Sequence, residues 1–158
     1  MRELFKGLLP VLHNVTSVHR VLEFVRLCTS FNCNNIIITR PTGAAAQQGV
    51  PEAFKIALKE GANIMILGEL KDVQEIAKIE KLYLLTAEEE GETLDKAIEE
   101  AAELLREGKK IGVAVQGQDL PFLPREKQLG TCVKVLEKKA PATSLCTIFL
   151  WELSKKLT

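Results

Sequence analysis

The chain has 158 residues, in which 21 Lys and Arg balance 21 Asp and Glu, and 46% of the residues are hydrophobic against 5% aromatic. This length fits one domain of about 100–200 residues, and the composition excludes a disordered chain, a collagen and a disulfide-stapled scaffold. No apolar stretch of about 18 residues occurs, so no membrane span is expected. The N-terminus lacks the small-residue cleavage site of a signal peptide, and we therefore expect a cytoplasmic protein.

Short apolar runs alternate with helical patterns along the chain. The runs predict six strands, at 8–15, 34–39, 63–68, 82–86, 111–115 and 131–136. Helical spacing predicts helices over 17–31, 51–60, 71–81, 93–108 and 143–156, with Pro51 in a first turn, Gly61 at a C-terminal cap and Thr93 at an N-terminal cap. Segments 40–50 and 116–130 are predicted to be loops, and the acidic run 88–92 is expected to be a solvated loop.

Strands that are apolar throughout and alternate with helices indicate an α/β fold with a mostly parallel sheet covered on both faces. We expect residues 1–158 to form a single domain of this kind. Such sheets bind ligands beyond the carboxyl ends of their strands, so the loops after the strands are the places to search.

Several common functional motifs are missing from these loops. The chain has no G-x-G-x-x-G, no G-x-x-x-x-G-K-[ST], no H-E-x-x-H and no G-x-S-x-G, which disfavours dinucleotide-binding enzymes, P-loop NTPases, zincins and α/β-hydrolases. The four cysteines have no C-x-x-C spacing, so no metal is expected. Polar residues do follow one buried strand, where VAVQGQD places Gly117, Gln118 and Asp119.

Three segments resemble the motifs of SpoU-type methyltransferases of the SPOUT superfamily. VLHNVTSVHRVLEFVRLCTSFNCNNIIIT resembles the first motif, with Arg26 at the motif arginine, and VAVQGQD resembles the strand that ends in G-x-E. VKVLEKKAPATSLCTIFLWEL resembles the last strand, the cofactor loop and the closing helix. The chain departs from the motifs at Arg20, Leu22 and Cys146.

The resemblance implies a C-terminal trefoil knot, S-adenosylmethionine as cofactor, a homodimer, and methyl transfer to a ribose 2′-hydroxyl of tRNA or rRNA. It places Arg26 at the reacting ribose as the catalytic residue, where a guanidinium positions a phosphate or stabilises the developing alkoxide, because it does not give up its proton. The implied cofactor-binding residues are Leu85, Gly117, Gln118, Leu136 and Ser144. Basic residues placed to hold the RNA backbone are Arg20, Arg40, Lys138 and Lys139.

Two other functions remain open for the sequence. One is a knotted domain that has lost methyl transfer and binds RNA or a partner protein, which the motif departures suggest. The other is a nucleotide- or metabolite-binding α/β domain without a knot. Individual residues also have simpler interpretations: Arg26 as an ion pair with Glu23 on the same helix, and His13 as a strand-end residue bonded to a backbone carbonyl.

Overall fold

A computed structural model describes residues 5–158 and has one parallel sheet of seven strands. The strand order is β3-β2-β1-β6-β4-β7-β5, and every neighbouring pair is parallel. The strands are β1 Leu8–Val15, β2 Asn35–Pro41, β3 Asn63–Leu67, β4 Lys81–Ala87, β5 Glu92–Thr93, β6 Ile111–Gln116 and β7 Thr131–Leu136. The parallel α/β architecture is therefore confirmed.

The expected number of six strands is wrong, because a seventh strand lies at the edge of the sheet. Strand β5 has two residues, Glu92 and Thr93, which pair with Val133 and Lys134 of β7. It falls in the acidic run that was expected to be a loop. A two-residue polar edge strand has no apolar run, so periodicity does not detect it.

The helices follow the predicted order, and their caps explain where they begin and end. They are α1 Val18–Ser30, α2 Val50–Glu60, α3 Asp72–Ala77, α4 Leu94–Arg106, α5 Pro124–Lys127 and α6 Ala142–Leu157. The Ser17 hydroxyl accepts from the N–H of Arg20 at the start of α1, and the Thr93 hydroxyl accepts from the N–H of Lys96 at the start of α4. Gly61 ends α2 in the left-handed region at φ 72°, as predicted.

Two loop predictions and one helix prediction needed correction. The segment predicted as a loop over 40–50 holds the end of β2 and a π-helical turn, Ala45–Gly49, that leads directly into α2. The predicted loop 116–130 holds the short helix α5. Helix α3 is shorter than predicted, because Lys78 turns into the left-handed region at φ 55° and ends it.

The two faces of the sheet are covered differently. Buried residues of α1, α2, α4 and α6 form the larger core on one face, with Phe24, Ala53, Ala101 and Phe149 among them. On the other face, the smaller core is closed by α3 and by Phe122 from the loop between β6 and β7. The loop between β6 and β7 therefore covers part of this face, where a helix would be usual. The contacts that hold this loop in place decide its position.

Within residues 5–158, no helix is long and apolar enough to cross a membrane.

Candidate ligand-binding site

A pocket of about 440 Å³ opens at the carboxyl ends of β4 and β6. Its size lies within the range of about 300–1,000 Å³ that is typical of small-molecule sites. The wall is formed by the end of β4, the loop after β6 and the start of α6, and it comprises Leu85, Thr86, Ala87, Glu88, Glu89, Gln116, Gln118, Asp119, Leu120, Pro121, Phe122, Lys139, Ala140, Ala142 and Leu145. The pocket therefore lies at the edge of the sheet where parallel strands bind ligands.

Sequence reasoning identified part of this pocket. Leu85, Gln118 and Lys139 line it, whereas Gly117, Leu136 and Ser144 do not. The acidic residues Glu88 and Glu89 line it as well, although their run was expected to be a solvated loop. No pattern in the sequence marks those two carboxylates, because an acidic run in an exposed loop has the same composition.

Gly117 is needed for the backbone to pass close to β1. A Cβ atom at this position would lie 2.8 Å from both the carbonyl oxygen of Asn14 and Cβ of Val15. The Gly117 N–H donates to the carbonyl of His13 at 2.5 Å. Gly117 thus attaches the loop after β6 to β1. This structural role differs from the cofactor-binding role that was expected for Gly117.

Replacing Gly117 with alanine should lower the free energy of unfolding by about 1–2 kcal/mol, because the added methyl group overlaps backbone atoms of β1. Urea unfolding measures the change. Gly68→Ala is the matched control, since the nearest atom to its added Cβ lies 3.8 Å away. Equal stability of the two variants would contradict the close packing described for Gly117.

Two of the four basic residues proposed to hold RNA are engaged with carboxylates. The Arg20 guanidinium donates to the carbonyl of Gly117 at 3.1 Å and lies 3.2 Å from the carboxylate of Asp119. Arg40 pairs with Glu69. Lys138 and Lys139 are exposed, and neither has an ion pair in the part of the chain that the structure describes. Of the four, only the two lysines therefore carry unpaired positive charge.

A buried histidine anchors the loop that forms the pocket wall. His13 is fully buried, with Nδ1 2.6 Å from the hydroxyl of Thr39 and Nε2 2.5 Å from the carboxylate of Glu126. The other oxygen of Glu126 accepts from the N–H of Leu123 at 2.8 Å, and the ring of Phe122 stacks beside the imidazole. His13 thus bonds to side chains rather than to a backbone carbonyl, and that interpretation of it is corrected.

Burial lowers the pKa of His13, and this effect exceeds the raising influence of Glu126. A neutral imidazole fits the contacts when Nε2–H donates to Glu126 and Nδ1 accepts from the Thr39 hydroxyl. Arg40 also disfavours protonation of His13, and Glu69 favours it.

Acid should therefore weaken the fold through His13. Because its folded pKa lies below the ordinary 6.5, the unfolded chain binds more protons, and the stabilisation is full above about pH 6.5 and falls as pH drops toward the folded pKa. The slope of the loss is at most about 1.4 kcal/mol per pH unit. Urea unfolding of the native chain and of His13→Gln between about pH 5 and 8 measures it. If the free energy of unfolding changes with pH in the same way for both proteins, His13 is excluded as the source of the pH dependence.

Arg26 lies away from the pocket, in a groove between α1 and α6. The groove is lined by Glu23, Arg26, Leu27, Ser30, Thr143, Ser144, Thr147 and Ile148. Glu23 contacts the hydroxyl of Thr143 at 2.6 Å and His19 at 3.1 Å. Among residues 5–158, no carboxylate forms an ion pair with Arg26, so the alternative pairing with Glu23 is not observed.

Three of the five non-glycine residues with positive φ in the described part of the chain lie at the same edge of the sheet as the pocket. The other two, Asn32 and Lys78, follow α1 and α3. Asn14, Arg40 and Glu88 have φ values of 61°, 47° and 68°, and they lie at or just beyond the carboxyl ends of β1, β2 and β4. Left-handed conformations of residues such as Arg and Glu cost energy and cluster at functional sites. The described residues contain no group of three or more His, Cys, Asp and Glu side chains suited to a metal ion.

Comparison with known proteins identifies the family of this chain. Residues 43–152 match a family model described as RecB-family nuclease (DUF2122). The chain belongs to this family. A relative from Methanocaldococcus jannaschii, named "Putative type II restriction enzyme MjaORF1200P", is 33% identical over 147 residues, which cover 92% of this chain and 95% of the relative. A protein from Aeropyrum pernix, named "Putative type II restriction enzyme ApeKORF2002P", is 48% identical over 64 residues, or 40% of this chain and 41% of that protein.

Comparison with solved structures gives information about the fold of the chain. A structure described as "Probable Methyltransferase" from Bordetella pertussis Tohama I aligns at TM-score 0.79 and 12% identity over 100% of both chains. The SpoU methyltransferase AviRb from Streptomyces viridochromogenes, in complex with AdoMet, aligns at TM-score 0.68 and 11% identity over 94% of this chain and 59% of that one. The TrmH/SpoU tRNA modifying enzyme of A. aeolicus aligns at 0.67 and 13% over 98% and 79%.

These results confirm the SpoU-like fold of this chain and overturn the activity that was expected from it. Identities of 11–13% support a shared architecture only. The sequence relatives carry nuclease names. The expectation of an S-adenosylmethionine-dependent RNA methyltransferase, with the keywords that follow from it, is therefore wrong for this chain by the family evidence. A shared fold does not imply a shared activity, and this chain departs from the methyltransferase motifs at Arg20, Leu22 and Cys146.

Proposed function

We propose that this protein binds S-adenosylmethionine in the pocket at the carboxyl ends of β4 and β6. The observation that carries the proposal is the 440 Å³ pocket itself, which lies at the strand ends of a fold shared with an AdoMet-bound neighbour. The proposal concerns binding and includes no methyl transfer.

The pocket residues fit the chemistry of this ligand. Leu85 and Leu145 give an apolar wall for an adenine ring. Glu88 has no ion pair among the described residues and supplies negative charge for the sulfonium and ammonium groups, while Lys139 supplies positive charge for the carboxylate. Glu89 and Asp119 also line the pocket, but they are paired with Lys127 and Arg20. The ligand would bring two cations and one anion, and this wall holds charges of the opposite signs.

Calorimetric titration tests the proposal with S-adenosylmethionine and S-adenosylhomocysteine as probes. We expect micromolar binding of S-adenosylmethionine and weaker binding of S-adenosylhomocysteine, because the latter lacks the sulfonium charge that the carboxylates favour. Absence of heat with millimolar S-adenosylmethionine, in protein shown to be folded, would overturn the proposal.

A second candidate is cleavage of phosphodiester bonds in nucleic acid, which membership of a family described as nucleases favours. Supercoiled plasmid and single-stranded RNA are incubated with purified protein and Mg²⁺, and nicked or shortened products are measured. The variant Glu88→Gln, Glu89→Gln, Asp119→Asn should lose activity if the pocket carboxylates take part, with Glu52→Gln as the exposed control. Unchanged cleavage by the first variant would place the activity elsewhere.

Proposals about partners and organisation rest on separate features. For RNA, Lys138 and Lys139 offer unpaired charge to a phosphate backbone. Changing both lysines to glutamate should weaken RNA binding and reduce its salt dependence.

For a homodimer, the α1–α6 groove adjoins Trp151, which is 56% exposed. Sedimentation analysis tests whether the protein is a dimer in solution. In such a dimer, Arg26 would lie at the S-adenosylmethionine pocket of the partner subunit. The effect of Arg26→Ala on S-adenosylmethionine binding tests this placement.

The remaining structural expectations are also proposals. A C-terminal trefoil knot is proposed from the resemblance to SpoU-type methyltransferases. The single continuous sheet of seven strands supports one domain over residues 1–158. Cys28, Cys33, Cys132 and Cys146 are free thiols, which supports a reducing, cytoplasmic location.

A further inference from the structure

A second pocket lies at the opposite edge of the sheet, where the strands begin. It has a volume of about 310 Å³, and its wall is formed by the starts of β1, β2 and β3, the end of α3 and the residues that lead into β1 and β6. None of the residues in this wall lines the pocket at the carboxyl ends. We call this cavity the amino-edge pocket.

The amino-edge pocket carries unbalanced positive charge. Its wall holds Lys6, Lys78 and Lys110, and no carboxylate among the described residues lines it. These three lysines have no ion pair within residues 5–158, whereas Lys81 and Lys109 nearby in sequence are paired with Glu100 and Glu107. In a chain with zero formal net charge, three uncompensated cations around one cavity favour an anionic ligand.

The rest of the wall combines apolar surface with amide groups. Leu9 and Ile37 are buried beneath the cavity, while Met65 and Ile76 are 40% and 55% exposed. Asn35 and Asn63 begin neighbouring strands and lie opposite each other in the parallel register. Exposed apolar side chains accept a flat hydrophobic ring, and amides both donate to and accept from the polar edge of such a ring.

We propose that the amino-edge pocket binds a nucleotide, with its base against Met65 and Ile76 and its phosphate at the lysines. A nucleotide combines in one ligand the ring, the hydrogen-bonding edge and the anion that the wall can hold. The ligand is a free nucleoside monophosphate or the phosphorylated end of a nucleic-acid strand. This site goes beyond the proposed function, because it uses different residues at the other edge of the sheet.

The test is titration of 5′-AMP, and separately of a short 5′-phosphorylated oligonucleotide, into the native chain. We expect binding that moves the NMR methyl signals of Ile37, Ile64 and Ile76. A triple variant should weaken binding of the probe at least tenfold when it combines Lys6→Gln, Lys78→Gln and Lys110→Gln. The control variant should leave binding unchanged, and it combines Lys59→Gln, Lys71→Gln and Lys96→Gln. All six lysines are exposed, so both variants are expected to fold.

The outcomes distinguish the sources and decide the proposal. Tighter binding of 5′-AMP identifies a free nucleotide as the ligand, and tighter binding of the oligonucleotide identifies a strand end. Equal weakening in both triple variants means that charge alone attracts the probe and overturns the proposal. Shifts confined to Leu85 and Leu145 would place the nucleotide in the other pocket and overturn it as well.

Discussion

His13→Ala should lower the free energy of unfolding by about 3–5 kcal/mol, the range found when one partner of a buried pair is removed. The change leaves a cavity and removes the donor that Glu126 accepts from at 2.5 Å. Glu126 is 4% exposed, so its carboxylate would be left buried without its imidazole partner. Chemical denaturation with urea measures the loss.

His19→Ala is the matched control for this prediction, because the His19 side chain is 85% exposed and contacts only Glu23. Its effect should stay within about 0.5 kcal/mol. Glu126→Gln should fall between the two, at about 1–3 kcal/mol, since glutamine offers one acceptor oxygen where the carboxylate serves both His13 and Leu123. Similar values for His13→Ala and His19→Ala would show that the buried network contributes nothing.

The same substitution links stability to the pocket. Leu120, Pro121 and Phe122 line the pocket and precede Leu123 and Glu126 in one loop. If His13 anchors that loop, then His13→Ala should weaken ligand binding as well as the fold. Hydrogen exchange should increase first in residues 120–130, because this segment loses its side-chain attachment to β1 through Glu126.

The sequence predicted the fold well because the fold follows from local patterns. Fully apolar runs predicted six strands that the structure contains, and Gly61 and Thr93 ended and began helices at the predicted positions. Two features had no local signal. Strand β5 is short and polar, and the π-helical turn before α2 has the composition of a loop.

The candidate site could be predicted only in part, because its wall is assembled by tertiary contacts. Gln118 follows a recognisable buried strand and was found. Glu126 lies 113 residues from His13 in the chain, and nothing in either local sequence indicates their contact. The prediction of the activity was wrong for another reason. A shared fold preserves the order of the motifs, whereas the chemistry depends on individual residues.

Filling the pocket at the carboxyl ends should abolish its ligand binding. Ala140 is half-buried and lines the pocket at the approach to α6. In Ala140→Trp, an indole occupies space that the ligand needs, so the affinity for S-adenosylmethionine should fall more than 100-fold, or by at least about 2.7 kcal/mol. Calorimetric titration of the native and variant proteins measures the difference.

Ala44→Trp is the control, since Ala44 is exposed and lies outside the pocket lining. Its affinity should match that of the native chain. The urea midpoint of Ala140→Trp is measured in parallel, so that loss of binding is separated from loss of the fold. Retained affinity in a folded Ala140→Trp protein would place the ligand outside this pocket, because an indole and an adenosyl group compete for the same volume between Leu85 and Leu145.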